Sequence, residues 1–285
     1  METPKNNLQE SFIGNLKENG FVTLSYPKEL RDSVEETIDS WHRFCALPAG
    51  IRQKLPYSSS SDGVGYELKE GVGVNADRKE NFDITVGGKK WLRENGHLVD
   101  GAVSEFVEKA TNLVDRVKPT ILDFARQSEK AFGLKGFYEE VAKSEDAFFF
   151  RFIHYFGDRT PGQEIAAPHA DQSGFTLHLY ESAPGLQRLT YANRWVEMPV
   201  SDGQTVIIPA MQMQLRSESK LKATCHRVVA TDETAQGGRF SAVCFVQLKD
   251  TSKYNKDLFG RLQEKEPGFN YTMPRDEFAK LFKDS

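Results

Sequence analysis

The second half of this 285-residue sequence predicts a barrel or a double-sheet β-roll, and the first half predicts helices that buttress it. Three observations carry that expectation. Residues 147–156 read Ala-Phe-Phe-Phe-Arg-Phe-Ile-His-Tyr-Phe, a long aromatic run of strand character. Shorter strand candidates recur at 174–180, 186–191, 204–209, 223–230 and 239–248, parted by clusters of Asp, Gly, Ser and Asn. Before residue 135 the apolar residues recur instead at spacings of three and four.

In chain order, Leu8 to Lys17 predicts a short helix stopped by Asn19-Gly20, and Phe21 to Leu24 a short strand. Pro27 opens a longer helix through Leu30, Val34, Ile38, Trp41 and Phe44, which ends at Leu47-Pro48. Residues 58–90 are rich in Ser, Gly, Asp and Lys and read as loops with short extended pieces. Helical spacing returns in Phe106, Ala110, Leu113, Val117, Ile121 and Phe124, with Pro119 predicting a kink or two consecutive helices. Residues 252–264 and 275–283 predict terminal helices around Pro267-Gly268. A sheet with a dry outer face needs a cover, so the helical first half reads as its buttress rather than as a separate domain.

Composition narrows the function classes. The 37 basic and 41 acidic residues leave a net charge of −4, which is no footprint for a nucleic-acid backbone. No run of apolar residues reaches the length of a membrane helix, and Met1 to Ser11 has no apolar signal core. Three cysteines, Cys45, Cys225 and Cys244, make neither a disulfide framework nor a Cys-rich zinc site. A cytoplasmic globular protein with an aromatic-rich core is expected.

The chemistry concentrates in a few residues. In Pro168-His169-Ala170-Asp171 the histidine and the aspartate, two apart in extended chain, address one point. His226 lies in a later strand-like run, Thr224 to Val229. Two imidazoles and one carboxylate are the ligand set of a facial triad, which leaves positions open on iron(II). His-x-Asp also arises by chance, and His226 reads equally as a hydrogen-bonded core residue; His178 reads as structural or pocket-lining. Arg239 and Ser241 share a strand face, and an arginine fork beside a hydroxyl suits a buried carboxylate. The alternative is a surface arginine after the Gly237-Gly238 turn.

With His169, Asp171, the His226-Arg227-Val228-Val229 string, Arg239-x-Ser241, Gly185-Leu186-Gln187 and Trp195 in this order, residues 147–248 resemble the non-haem iron(II), 2-oxoglutarate-dependent dioxygenases of the isopenicillin N synthase-like class. Gly20-Phe21, the Phe44 to Pro48 helix end, Gly65-Tyr66 and Lys79-Glu80-x-Phe82 are similar to that family's first half. The resemblance implies a double-stranded β-helix (a cupin-like jelly roll) over 147–248, with a helical region at 1–135 and a helical segment at 249–285, all one catalytic unit. It further implies iron(II) on His169, Asp171 and His226, dioxygen as oxidant, and 2-oxoglutarate held at its far carboxylate by Arg239, Ser241 and Tyr155. The retained Asp171 argues against halogenation.

The implied reaction is C–H hydroxylation of a small molecule in bacterial or secondary metabolism, yielding succinate and carbon dioxide. An iron-dependent oxidase performing desaturation or ring closure, with or without 2-oxoglutarate, and a non-catalytic ligand-binding roll are the alternatives. No nucleic-acid or membrane partner is expected, and the oligomeric state is a monomer or a weak homo-oligomer. Strand parity puts Phe245 and Gln247 in the cavity with Arg151, which meets either a polar substrate group or a structural acid. Tyr66, in the Gly63 to Phe82 loop, is a further candidate at the entrance.

Overall fold

The computed structural model describes residues 12–57, 63–71, 78–85, 87–98, 101–190, 192 and 194–248. A π-helical turn at Asn15–Asn19 ends on Gly20, whose φ of 69° is a left-handed stop suited to glycine. Strand β1 (Val22–Ser25) leads into helix α1 (Lys28–Cys45), entered from Pro27. Leu30, Val34, Ile38, Trp41 and Phe44 form its buried stripe, as their spacing predicts. One further turn, α2 (Ala49–Arg52), precedes strands β2 (Gly65–Glu70) and β3 (Arg78–Thr85), which pair antiparallel. Here the chain departs from the loop reading. The extended pieces are longer than expected, and within them Glu80, Asn81 and Asp83 are buried strand residues.

Helices α3 (Gly88–Glu94), α4 (Gly101–Phe132) and α5 (Phe137–Ala142) follow. Of the kink or two consecutive helices expected at Pro119, the two-helix alternative does not occur, because α4 runs through it. Pro119 and Asp115, whose carbonyl loses its usual i+4 donor to the proline, are both exposed, while Val114, Val117, Ile121 and Phe124 keep the buried stripe intact.

The second half supplies β4 (Phe148–Tyr155), β5 (Glu164–His169), β6 (Phe175–Glu181), β7 (Leu186–Leu189), β8 (Trp195–Glu197), β9 (Gln204–Pro209), helix α6 (Met211–Arg216), β10 (His226–Val229), α7 (Thr234–Gly237) and β11 (Arg239–Val246). Seven strands form one sheet in the order β1-β9-β6-β11-β4-β3-β2, and four form the other, β5-β10-β7-β8. The architecture is a double-stranded β-helix. Ile153, Val206, Ile208 and Val243 of the large sheet meet Ile165, Leu186 and Val228 of the small one in an inner core. Phe150, Phe152, Ala242 and Cys244 point from the same strands to the other face, where α1 and α4 cover them. Alternation along β4 and β11 thus sorts one set of side chains into the helical layer and the other into the roll. The helices expected at 252–264 and 275–283 lie outside the described residues.

Candidate active site

The large cavity of the roll, about 350 Å³, opens between the two sheets. At its inner end β5 and β10 pair so that His169 and His226 stand opposite each other, with ring centroids 4.4 Å apart. Asp171, just past the end of β5, is buried between them. Its oxygens lie 3.6 Å from His169 Nε2 and 3.9 Å from His226 Nε2. One ligand atom from each of the three falls within 4.8 Å of the others.

Each imidazole is oriented by its second nitrogen. Nδ1 of His169 donates to Ala167 O at 2.8 Å, and Nδ1 of His226 donates to Thr224 O at 3.0 Å. Both Nε2 lone pairs are left pointing at the carboxylate. Burial, then the neighbouring His169, pushes the pKa of His226 well below its ordinary value, so it stays neutral, the ligand form. Burial alone would raise Asp171, but His226, His169 and a 2.6 Å hydrogen bond from Thr176 Oγ1 hold its carboxyl below the usual range. Two imidazole nitrogens and one carboxylate, facing a cavity, fit a divalent iron with open positions.

A second cluster lies along β6 and β11. Arg239 is 1% exposed and donates from Nη1 to Ser241 Oγ at 2.6 Å. The same Nη1 meets Glu181 Oε2 at 2.6 Å, while Nε donates to Ala183 O at 3.1 Å. Ser241 Oγ donates to Glu181 Oε2, and His178 Nδ1 lies 2.9 Å from Glu181 Oε1. Burial raises Glu181, but Arg239 and His178 more than reverse this and keep it ionised. Nη2 of Arg239 and Nε2 of His178 are buried without a hydrogen-bond partner among the described residues. Tyr155, opposite Arg239 in the β4–β11 ladder, lines the cavity.

Residues 145–248 match the model of the 2OG-Fe(II) oxygenase superfamily. Over that stretch the chain is similar to that superfamily. A 2-oxoglutarate-dependent dioxygenase of Didymella fabae is 26% identical over 255 residues, covering 80% of this chain and 75% of the relative. The fold is also that of a full-length Neurospora crassa protein solved in complex with alpha-KG, with a TM-score of 0.74 at 19% identity, covering 100% of this chain and 91% of that one. JOX2 in complex with 2OG, Fe and JA superposes with a TM-score of 0.67 at 18% identity, over 85% of this chain and 72% of that one. The protein is an iron(II)- and 2-oxoglutarate-dependent oxygenase.

In this oxygenase, His169, Asp171 and His226 converge, as the resemblance implies. Arg239 and Ser241 share a face, but the fork is not empty. Glu181 and Ser241 line the cavity and Arg239 does not. Arg151 lines it too, and its partner is a structural acid. Nε and Nη2 each donate at 2.7 Å to Asp83, its neighbour across the β3–β4 ladder. Phe245 lines the cavity, with the Arg151 guanidinium 5.8 Å from its ring centre.

Two expected pocket residues fall elsewhere. Gln247 is exposed beyond the end of β11, beside a neighbouring recess, because the β4 ladder that fixes side-chain parity ends at Val246. Tyr66 is buried near Phe44 on the helical side, where its hydroxyl donates to Glu80 Oε2 at 2.7 Å. Sequence reasoning missed Thr176, Glu181 and Asp83, and left His178 between two roles.

Proposed function

We propose that His169, Asp171 and His226 hold iron(II), and that Arg239, with Ser241 and Tyr155, anchors the far carboxylate of 2-oxoglutarate for C–H hydroxylation of a small molecule. The observation that carries the reading is the convergence of two oriented Nε2 atoms and one carboxylate on the wall of the cavity. Bound together, iron(II), 2-oxoglutarate and dioxygen supply the oxidising chemistry, with succinate and carbon dioxide as co-products.

The chain's own residues have three tasks. Thr176, Ala167 and Thr224 fix the ligand side chains through hydrogen bonds. Ile153, Ile165, Val228 and Val243 give the cavity an apolar wall that excludes water from the reacting C–H bond. Lys69 and Lys79, paired on β2 and β3, bring cationic groups to the same cavity, which favours a substrate carrying a polar or anionic group. The Neurospora crassa protein was also solved in complex with alpha-KG and thymine, so a related roll accepts a small ring compound.

In this reading the helical layer and the roll work as one catalytic unit, a cytoplasmic monomer or weak homo-oligomer. Succinate release across a panel of small metabolites, with iron(II) and 2-oxoglutarate, tests it. Substrate-dependent succinate with a hydroxylated product is the expected result. A desaturated or cyclised product would replace hydroxylation as the outcome, and no succinate with any small molecule would overturn the substrate class.

A further inference from the structure

We propose that Glu181 is a built-in competitor for Arg239, so that this oxygenase draws little of its cosubstrate affinity from the far carboxylate of 2-oxoglutarate. The inference rests on the reading that Arg239 is the anchor for that carboxylate.

The donor inventory carries it. A guanidinium has five N–H groups and a serine hydroxyl one. Nε of Arg239 is taken by the carbonyls of Ala183 and Pro184. Nη1 is shared between Ser241 Oγ and Glu181. The single Ser241 proton is already donated to Glu181. Among the described residues only Nη2, buried and without a partner, is left for an incoming carboxylate. The fork-on-fork contact that makes arginine a strong carboxylate site is therefore half used before any ligand arrives.

Charge points the same way. Arg239 is already neutralised by a carboxylate that is itself buried, and Glu181 stands with Ser241 on the cavity wall while Arg239 does not line it. A second carboxylate entering here meets a like charge in a low-dielectric site. A tail without charge escapes that repulsion. The geometry thus weakens the preference for a dicarboxylate over a 2-oxo acid with an uncharged tail.

The test compares equilibrium binding of 2-oxoglutarate with that of 2-oxopentanoate, which replaces the far carboxylate by a methyl group. Both are titrated by calorimetry into the anaerobic iron(II)-loaded enzyme, with the Tm of each variant recorded. In the wild type the ratio of the two Kd values is expected to stay below about 10, against the larger preference an unshared arginine fork would give. Glu181→Gln is expected to raise that ratio by about tenfold or more, as removal of the like charge requires. A wild-type ratio above about 100 overturns the proposal without any variant, and so does a ratio that Glu181→Gln leaves unchanged or lowers. Arg239→Met in the Glu181→Gln background separates the two ideas. Collapse of the ratio to about 1 upholds Arg239 as the anchor, while a ratio that survives shows that the anchor lies elsewhere, and the anchor reading fails with the inference built on it.

Discussion

Asp83 and Arg151 face each other across the β3–β4 ladder and are joined by two hydrogen bonds of 2.7 Å, with the aspartate fully buried and the arginine on the cavity wall. The pair is thus structural first, and any contact from Arg151 to substrate is made by a guanidinium already aimed and neutralised. Removing one member leaves the other charge buried and uncompensated, which costs about 3–5 kcal/mol. Asp83→Ala is therefore expected to lose most of that from the unfolding free energy in urea. A loss below about 1 kcal/mol would show that water reaches the guanidinium freely.

His169→Ala, Asp171→Ala and His226→Ala are each expected to abolish iron-dependent succinate formation, since each removes one of three converging ligand atoms. Iron-dependent turnover persisting in all three variants would refute the triad.

Thr176 offers a finer test. Its hydroxyl donates to Asp171 at 2.6 Å and orients the carboxylate. Thr176→Val preserves shape and removes the bond, so iron(II) affinity is expected to fall about 10–100-fold, the range for loss of an outer partner. Equal iron affinity in an anaerobic chelator competition would count against this role.

On the helical side of the sheet, burial and then the Arg52 guanidinium push the pKa of His154 from 6.5 down to about 4. Below pH 6.5 the unfolded chain takes up a proton at this site and the folded chain does not, so folding stability falls as pH drops towards 4. Below both pKa values the two states bind the proton alike and the loss levels off. His154→Gln keeps a donor for Glu80, which lies 2.8 Å from Nδ1, and removes the titration. The variant is expected to lose less Tm than the wild type between about pH 6.5 and 4.5, a window set by the depressed pKa. Parallel Tm curves would assign the acid sensitivity to other groups.

Much of this molecule is written in local pattern. The spacing of Leu30, Val34, Ile38, Trp41 and Phe44 specifies a helix with one buried face, because that periodicity is a property of the helix itself. Two-residue alternation places Arg151, Ile153 and Tyr155 on the cavity side of β4, and Ser241, Val243 and Phe245 on that of β11. His169 and Asp171 are legible for the same reason. The loops with short extended pieces expected at 58–90 show the limit of composition, since it gave no sign that Glu80 and Asp83 are buried strand residues made tolerable by Arg52 and Arg151.

Glu181 was beyond local pattern altogether. Thr176 and His178 face the cavity, so alternation would send Tyr180 inward and Glu181 out. The β6–β11 ladder instead slips between Ala242 and Val243, turning Tyr180 towards the helical layer and Glu181 onto Ser241 and Arg239. By itself the sequence determined the roll and its helical cover, which follow from periodicity, and offered two imidazoles and one carboxylate as candidate ligands. Tertiary structure alone decided which acids meet which arginines, because those pairings depend on strand register between segments as far apart as β6 and β11. Register is set by packing, and one slipped residue reverses the face on which a charge appears.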